Sequence, residues 1–338
     1  MKIDRFGIYN PLLTLEQGQS PEEIWHFIEN NNLNGLSVVS NRFSPLSIEA
    51  LKILHETVFI KNLNWSVYDN IGKYDFDFLY KYIALEKLYI ENAPLGKIDV
   101  GLLPKTLKEF RTHWNENVLI TKDNNSIESA TILSFREYDC SLLSKLKALK
   151  YLSLKCNNKI ESLAGLEELP YLKSLGICAS IKSLKVIGEL KKLTNLAFHK
   201  FELNNIDEIS NLTNLKTLSF SASDISDISA IANLKKIEAI SIVGCNNLTD
   251  FSAIGELSDL KFLEIEDCKN LKSINFISKL PNLKQLTLDG TTVVNDFDLK
   301  PAENIERVYI QNNLKQYNID LRHKSIIEEK QSIYNYIS

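Results

Sequence analysis

Five cysteines (Cys140, Cys156, Cys178, Cys245, Cys268) and five histidines (His26, His55, His113, His199, His323) are the side chains with which this chain could perform nucleophilic or metal chemistry. The histidines show neither HxH nor HExxH spacing, and no CxxC pair occurs, so no zinc-protease helix, zinc ribbon or disulfide scaffold is implied. Walker A loops, a GxGxxG turn after a strand and a GxSxG elbow are likewise missing from a chain with only 12 scattered glycines. Two constellations remain. Cys178 and His199, 21 residues apart, could form a thiol–imidazole pair, with Lys155 lowering the thiol pKa. Glu264, Glu266, Asp267 and Asp289 could offer oxygen ligands to a cation such as calcium. Whether either assembles depends on the elements that carry them.

Those elements repeat. The pattern L-x-x-L-x-L, with Ile, Val or Phe allowed at its apolar positions, starts at Leu149 (LKYLSL), Leu172, Leu193, Leu215, Ile237, Leu260, Leu283 and Ile305, at steps of 21 to 23 residues. Ile127, Leu107 and Leu85 continue it backwards, and Ile60 and Leu33 are looser copies, about thirteen units in all. Apolar residues alternating with polar ones at the end of each pattern predict a short strand with one buried face. The second half of each unit, such as Ile225, Ile228, Ile231 and Leu234, predicts a tightly wound return limb. A unit this small cannot bury its own apolar edge, so the units must stack into a solenoid with a parallel sheet rising ~4.8 Å per strand.

With these residues in view, the chain resembles the leucine-rich repeat in its 22-residue, internalin-like form, best over Asn211–Leu234 and Leu280–Asp296. The resemblance covers roughly residues 33–312. It implies an α/β horseshoe: a parallel sheet on the concave face, short helical or 3-10 return limbs on the convex face, and helical caps at both ends. It also implies Asn at the ninth position of each unit. Asn115, Asn157 and Asn313 fit, whereas Ser180, Phe201, Ser223, Cys245 and Cys268 stand there elsewhere. The two cysteines are expected to be buried packing thiols.

The predicted domains are an N-terminal cap (1–32), the repeats (33–312, the first two irregular) and a C-terminal cap (313–338). Ser20-Pro21-Glu22-Glu23 reads as a capping box opening a helix that carries Ile24, Trp25, Phe27 and Ile28. Ser325-Ile326-Ile327-Glu328 reads as a second.

Counting each unit from its first Leu, positions 3, 5, 7 and 8 are expected to point away from the core. Stacking aligns equal positions into columns. One zone then gathers Tyr89, Arg111, His113, Trp114, Tyr151 and Lys155, aromatic and cationic together. Another gathers Phe262, Glu264, Glu266, Asp267 and Asp289, closed by Arg307 and Tyr309, and His199 lies in the column between them. Trp, Tyr and Arg anchor interfaces more than other residues do, so these fourteen residues are the expected partner-binding set. Stacked carboxylates repel, with no structural return evident from sequence. A flat sheet supplies neither an oxyanion hole nor a wall against water for Cys178, and strand-borne carboxylates diverge rather than wrap an ion. His113 and His199 are four units apart, roughly 19 Å, too far to share a metal. No catalytic residue, metal or cofactor is therefore expected.

Composition agrees with a folded binding protein: 338 residues, 24% charged, 44% hydrophobic, 39 basic against 43 acidic side chains and a net charge of −4. That balance, without a continuous basic stripe, argues against nucleic acid as partner. No apolar run reaches a membrane-spanning length, and the charges of Met1–Arg5 are followed by no apolar h-region, so a secretory signal is not expected. The odd number of unpaired cysteines fits a reducing compartment, and Lys-, Asn- and Ile-rich usage fits an AT-rich bacterial genome. The expectation is a cytoplasmic, monomeric, non-catalytic module gripping a protein on its concave sheet, such as a bacterial immunity protein or regulatory adaptor. The alternatives are a secreted or surface internalin-like adhesin and an enzyme built on Cys178 and His199.

Overall fold

The computed structural model describes residues 2–4, 12–14, 20–31, 33, 35–40, 53–67, 76–156, 159–200, 202–310 and 316–319. The expected C-terminal cap helix, the ninth-position residues Asn157, Phe201 and Asn313, and His323 lie outside these residues. Contacts divide the chain into two compact units. The first is Met1–Arg136 with Ser141–Lys155 and Glu168–Tyr171; the second is Glu137–Cys140, Cys156–Glu167 and Leu172–Ser338.

In both units every strand of the repeat pattern begins two residues after the pattern's first apolar residue. The first unit has Gly35–Ser40, Asn62–Val67, Lys87–Ile90, Glu109–His113, Ser129–Leu133 and Tyr151–Lys155. The second has Ser174–Cys178, Asn195–His199, Thr217–Ser221, Ala239–Val243, Phe262–Glu266, Gln285–Asp289 and Arg307–Ile310. The loose copies at Leu33 and Ile60 thus form strands like the rest. Within each unit neighbouring repeat strands pair in parallel, residue for residue, as in Leu218↔Ile240 and Ile242↔Ile265.

The return limbs are single 3-10 turns in most repeats, among them Ser229–Asn233, Ser252–Glu256 and Asn275–Lys279; Lys185–Glu189 is a one-turn α-helix. Positions 1, 4 and 6 of each unit fill the core, as Leu215, Leu218 and Phe220 do. Phe198 and Phe220, both at position 6, stack at 5.7 Å between centroids.

Ahead of the repeats the helix Pro21–Asn30 forms as the capping box predicts. The Ser20 amide donates to Glu23 Oε2 at 2.8 Å, and the Glu23 amide donates to Ser20 Oγ at 3.2 Å. Ile24 and Ile28 are its buried face, and Trp25 meets Phe59 edge-on at 4.2 Å. The structure adds an element that periodicity did not indicate. Lys2–Asp4 pairs antiparallel with Leu12–Thr14, which pairs in parallel with Gly35–Ser40, so the sheet continues ahead of the helix.

Each strand ends at a corner that steers the chain back into the core. In six repeats the eighth residue takes a left-handed backbone: Ser134 (φ 57°), Lys200 (57°), Ala222 (49°), Gly244 (65°), Asp267 (51°) and Gly290 (63°). The amides of Lys200, Ala222, Gly244 and Asp267 make the last rung to the seventh carbonyl of the next repeat, as Ala222 does to Val243 O at 2.8 Å and Gly244 to Glu266 O at 2.8 Å. In three successive repeats the ninth side chain then turns inward and donates to the seventh carbonyl of its own repeat. Ser223 Oγ reaches Ser221 O at 3.1 Å, Cys245 Sγ reaches Val243 O at 3.6 Å and Cys268 Sγ reaches Glu266 O at 3.3 Å. Serine and cysteine thus serve the corner where the repeat pattern leads one to expect Asn.

An L-residue with a side chain is strained in this conformation by ~1–2 kcal/mol, and glycine is not. Ala222→Gly, after the entropy glycine gives up, should raise stability by roughly 0.5–1 kcal/mol in urea unfolding. Phe220→Ala, which empties a stacked core position, should lower it by about 3–5 kcal/mol.

Candidate functional site

Positions 3, 5 and 7 form the outward columns that the repeat spacing implies. Tyr89 is opposite Arg111, which is opposite Thr131. Ser241, Glu264, Thr287 and Tyr309 follow one another, as do Val243, Glu266 and Asp289. Position 8 does not belong to this face, being a corner.

In the first unit, Trp114 requires correction. It was expected to be exposed at position 8 but is 1% exposed. Its repeat makes the corner without a left-handed residue, and the indole folds inward onto Phe135 at 5.3 Å, edge-on. Tyr89 is also buried, contrary to expectation. Its hydroxyl donates to Glu109 Oε1 at 2.7 Å across the neighbouring strand, and Glu109 also takes Lys87 at 2.9 Å. Arg111 is half-buried, 3.5 Å from Glu91 Oε2. His113 is half-buried with Nδ1 3.3 Å from Ser134 Oγ. Burial holds its pKa below the usual histidine value, Glu91 opposes this, and Arg111 and Lys155 add to it. Tyr151 and Lys155 remain outward. Tyr151 is 49% exposed, and on its strand residues 151, 153 and 155 all face solvent.

In the second unit, Glu264 and Asp289 are buried rather than displayed, which corrects the picture of an open acidic cluster. Glu264 lies down between small neighbours and accepts from the Ser241 hydroxyl at 2.6 Å. Asp289 Oδ1 accepts from the Gly290 amide at 2.7 Å, and Asp267 Oδ1 accepts from the Thr291 amide at 2.8 Å. These carboxylates hold the 290–291 corner, which is the structural return the sequence did not reveal. Phe262, Glu266, Asp267 and Tyr309 are half-buried and Arg307 is exposed.

Cys178 and His199 are register partners on adjacent strands. His199 Nδ1, however, is 3.1 Å from Ser221 Oγ, directed to the opposite neighbour in its column. Among the described residues no group of three or more His, Cys, Asp or Glu could hold a metal ion. No helix among them is long and apolar enough to cross a membrane. Cys245 and Cys268 are buried, as expected, and burial raises their pKa values to about 12 and about 11. Burial also raises Cys156, to about 12.

Position 2 carries a feature missed from sequence, a ladder of alternating charge at the edge of the face. Glu128 stands between Lys150 (2.6 Å) and Lys108 (3.5 Å), and Glu238 between Lys261 (2.6 Å) and Lys216 (3.4 Å). Hydrogen bonding from Lys150 and Lys261 holds the two carboxyls below the usual range. The signal is present in the sequence as Lys, Glu and Lys at position 2 of successive repeats, Lys108, Glu128 and Lys150 and again Lys216, Glu238 and Lys261.

Residues 173–295 match the BspA type Leucine rich repeat region in six copies. The fold is the internalin-like leucine-rich repeat. An internalin (inlF) from Listeria monocytogenes is 17% identical, with a TM-score of 0.51, covering 90% of this chain and 87% of its own. A chain of the TLR13–ssRNA13 complex is 16% identical, with a TM-score of 0.55, covering 88% of this chain and 47% of its own. Internalin C2 (inlC2) from the same Listeria species is 24% identical, with a TM-score of 0.45, covering 55% of this chain and 80% of its own. No curated protein matches the chain.

The ninth-position geometry predicts the behaviour of the repeat's thiols. At pH 8 Cys245 and Cys268 should resist iodoacetamide in the native protein and be alkylated fully in urea, read by peptide mass spectrometry.

Proposed function

We propose that this leucine-rich-repeat protein is a non-catalytic module that binds a protein partner on the outward face of its sheet. One observation carries the reading: the parallel ladder holds side chains of successive repeats at fixed register, so a partner meets an array that loses little freedom on binding. Tyr151 and Lys155 in the first unit, and Phe262, Glu266, Arg307 and Tyr309 in the second, are the residues of the expected set with surface to offer. Of these, Phe262, Glu266 and Tyr309 are half-buried, as are Arg111, His113 and His199 in the outward columns, whereas Asp267 sits at a corner outside the face.

The internalin-like fold belongs with this role, since interaction rather than catalysis is what a rigid repeat surface supports. The TLR13 structure is that of a complex with ssRNA13. Here the net charge of −4 and the carboxylates of the second unit favour a protein over a nucleic acid. Cytoplasmic location, a monomeric state and a role as bacterial immunity protein or regulatory adaptor are part of the same proposal, supported by composition and by the unpaired cysteines.

The test is affinity capture from source-organism lysate with wild type, Tyr151→Ser/Lys155→Glu and Phe262→Ser/Glu266→Lys side by side. A protein retained by wild type and lost from one of the variants is the expected result. A partner held equally by all three would remove the sheet face from consideration.

A further inference from the structure

The repeat that starts at Leu107 is the shortest of the chain, with Ile127 following after 20 residues where the adjoining steps are 22. Its return limb contains no 3-10 turn, whereas the limbs before and after it carry Val100–Leu102 and Leu143–Lys145. Asn124 closes the shortened limb. Its Oδ1 accepts from the Ser126 and Ile127 amides at 2.9 and 3.1 Å, and its Nδ2 donates to Val100 O at 3.1 Å. Gly101 permits this closure, because a Cβ there would come within 2.6 Å of the Lys122 carbonyl. The missing turn leaves a recess of about 760 Å³ between limbs of the first unit.

The walls of the recess have a distinct chemistry. Ile83, 72% exposed, and Leu102, 41% exposed, are its apolar side. Lys105, Lys108 and Lys122 stand around it, with Asp123 the one carboxylate in its lining. Lys108 is 3.5 Å from Glu128, whereas among the described residues Lys105 and Lys122 have no ion-pair partner. A single exposed apolar side chain is unremarkable. Two bordering one concavity of ligand size, beside Lys105 and Lys122 with no ion-pair partner among the described residues, are complementary to a ligand that is both apolar and anionic. The polar groups of Asn124 are already engaged in closing the limb, so recognition rests on the rim lysines and the two aliphatic side chains.

We propose that this recess is a second docking site, for an acidic peptide segment of a protein partner. An aliphatic or aromatic side chain of the segment sits against Ile83 and Leu102 while its carboxylates meet Lys105 and Lys122. The site lies on the return limbs and is separate from the sheet face proposed above, so the two surfaces stand or fall independently.

The experiment is selection of a random dodecapeptide phage library on the full chain, with counter-selection on Lys105→Glu/Lys122→Glu. Fluorescence anisotropy then follows, with a fluorescein-labelled synthetic copy of the most enriched peptide. The substituted side chains are exposed, so the variants are expected to keep the wild-type melting temperature. Enriched peptides should place Asp or Glu around a large apolar residue. Affinity should fall about tenfold or more in the charge-reversed variant and in Ile83→Ser/Leu102→Ser. Lys185→Glu/Lys269→Glu, with the same change in net charge elsewhere, should bind as wild type does. Peptides without acidic enrichment, binding retained by the recess variants, or an equal loss in the control variant would overturn the assignment. Displacement of the peptide by inorganic phosphate would give the recess to a small anion and overturn it as well.

Discussion

No repeat of this chain can hold its own backbone. Each strand is five or so residues long, and the ladder bonds of its amides and carbonyls run to the strands of adjacent repeats. An unpaired buried amide or carbonyl costs about 1–3 kcal/mol, so the register between neighbours is the constraint from which the remaining order follows. Once Leu218 faces Ile240 and Ile242 faces Ile265, the apolar positions stack into a continuous core and the outward positions into columns. The columns, and any binding surface made from them, are by-products of satisfying the backbone.

The corner after each strand does the second part of that task. A strand must stop before its limb can cross the core, and the left-handed eighth residue stops it without losing the final rung. The seventh carbonyl then serves two donors, as Val243 O does for the Ala222 amide and the Cys245 thiol. The Leu283 repeat has a variant of the arrangement. Thr292, one place later, is buried there, donating to Ile265 O and accepting from the Cys268 amide. A small inward donor (Ser, Cys or, one place later, Thr) serves the corner in these repeats, whereas Phe135 fills the ninth position of its own repeat with an apolar ring.

The strands were readable from sequence because period and burial coincide: every L-x-x-L-x-L, including the loose copies at Leu33 and Ile60, becomes a strand two residues in. The candidate site was less readable, because spacing tells which way a Cα points and not where a long side chain ends. Trp114 folds under a corner, Tyr89 lies across to Glu109, and Glu264 is drawn flat by Ser241. In each case a neighbour one repeat away decided the outcome, and those neighbours were legible as column partners. The strand pair at residues 2–4 and 12–14 had no such signal, since a single antiparallel addition falls outside any repeat. The recess beside Lys105 was visible only as a step of 20, a number that acquires meaning once the absent turn is located.

Within each unit a strand pairs with its immediate neighbours in the sheet, in unchanging register, through donors and acceptors that recur from copy to copy. An interior copy could therefore be excised whole, and its two neighbours would meet with the same complement of backbone groups. The permitted changes of size in such a chain come in whole steps of some 22 residues. Gains or losses inside a step are absorbed locally, as Asn124 absorbs one. Gene duplication can thus lengthen or shorten the molecule without refolding it, while drift within a copy reshapes only the pockets along its side.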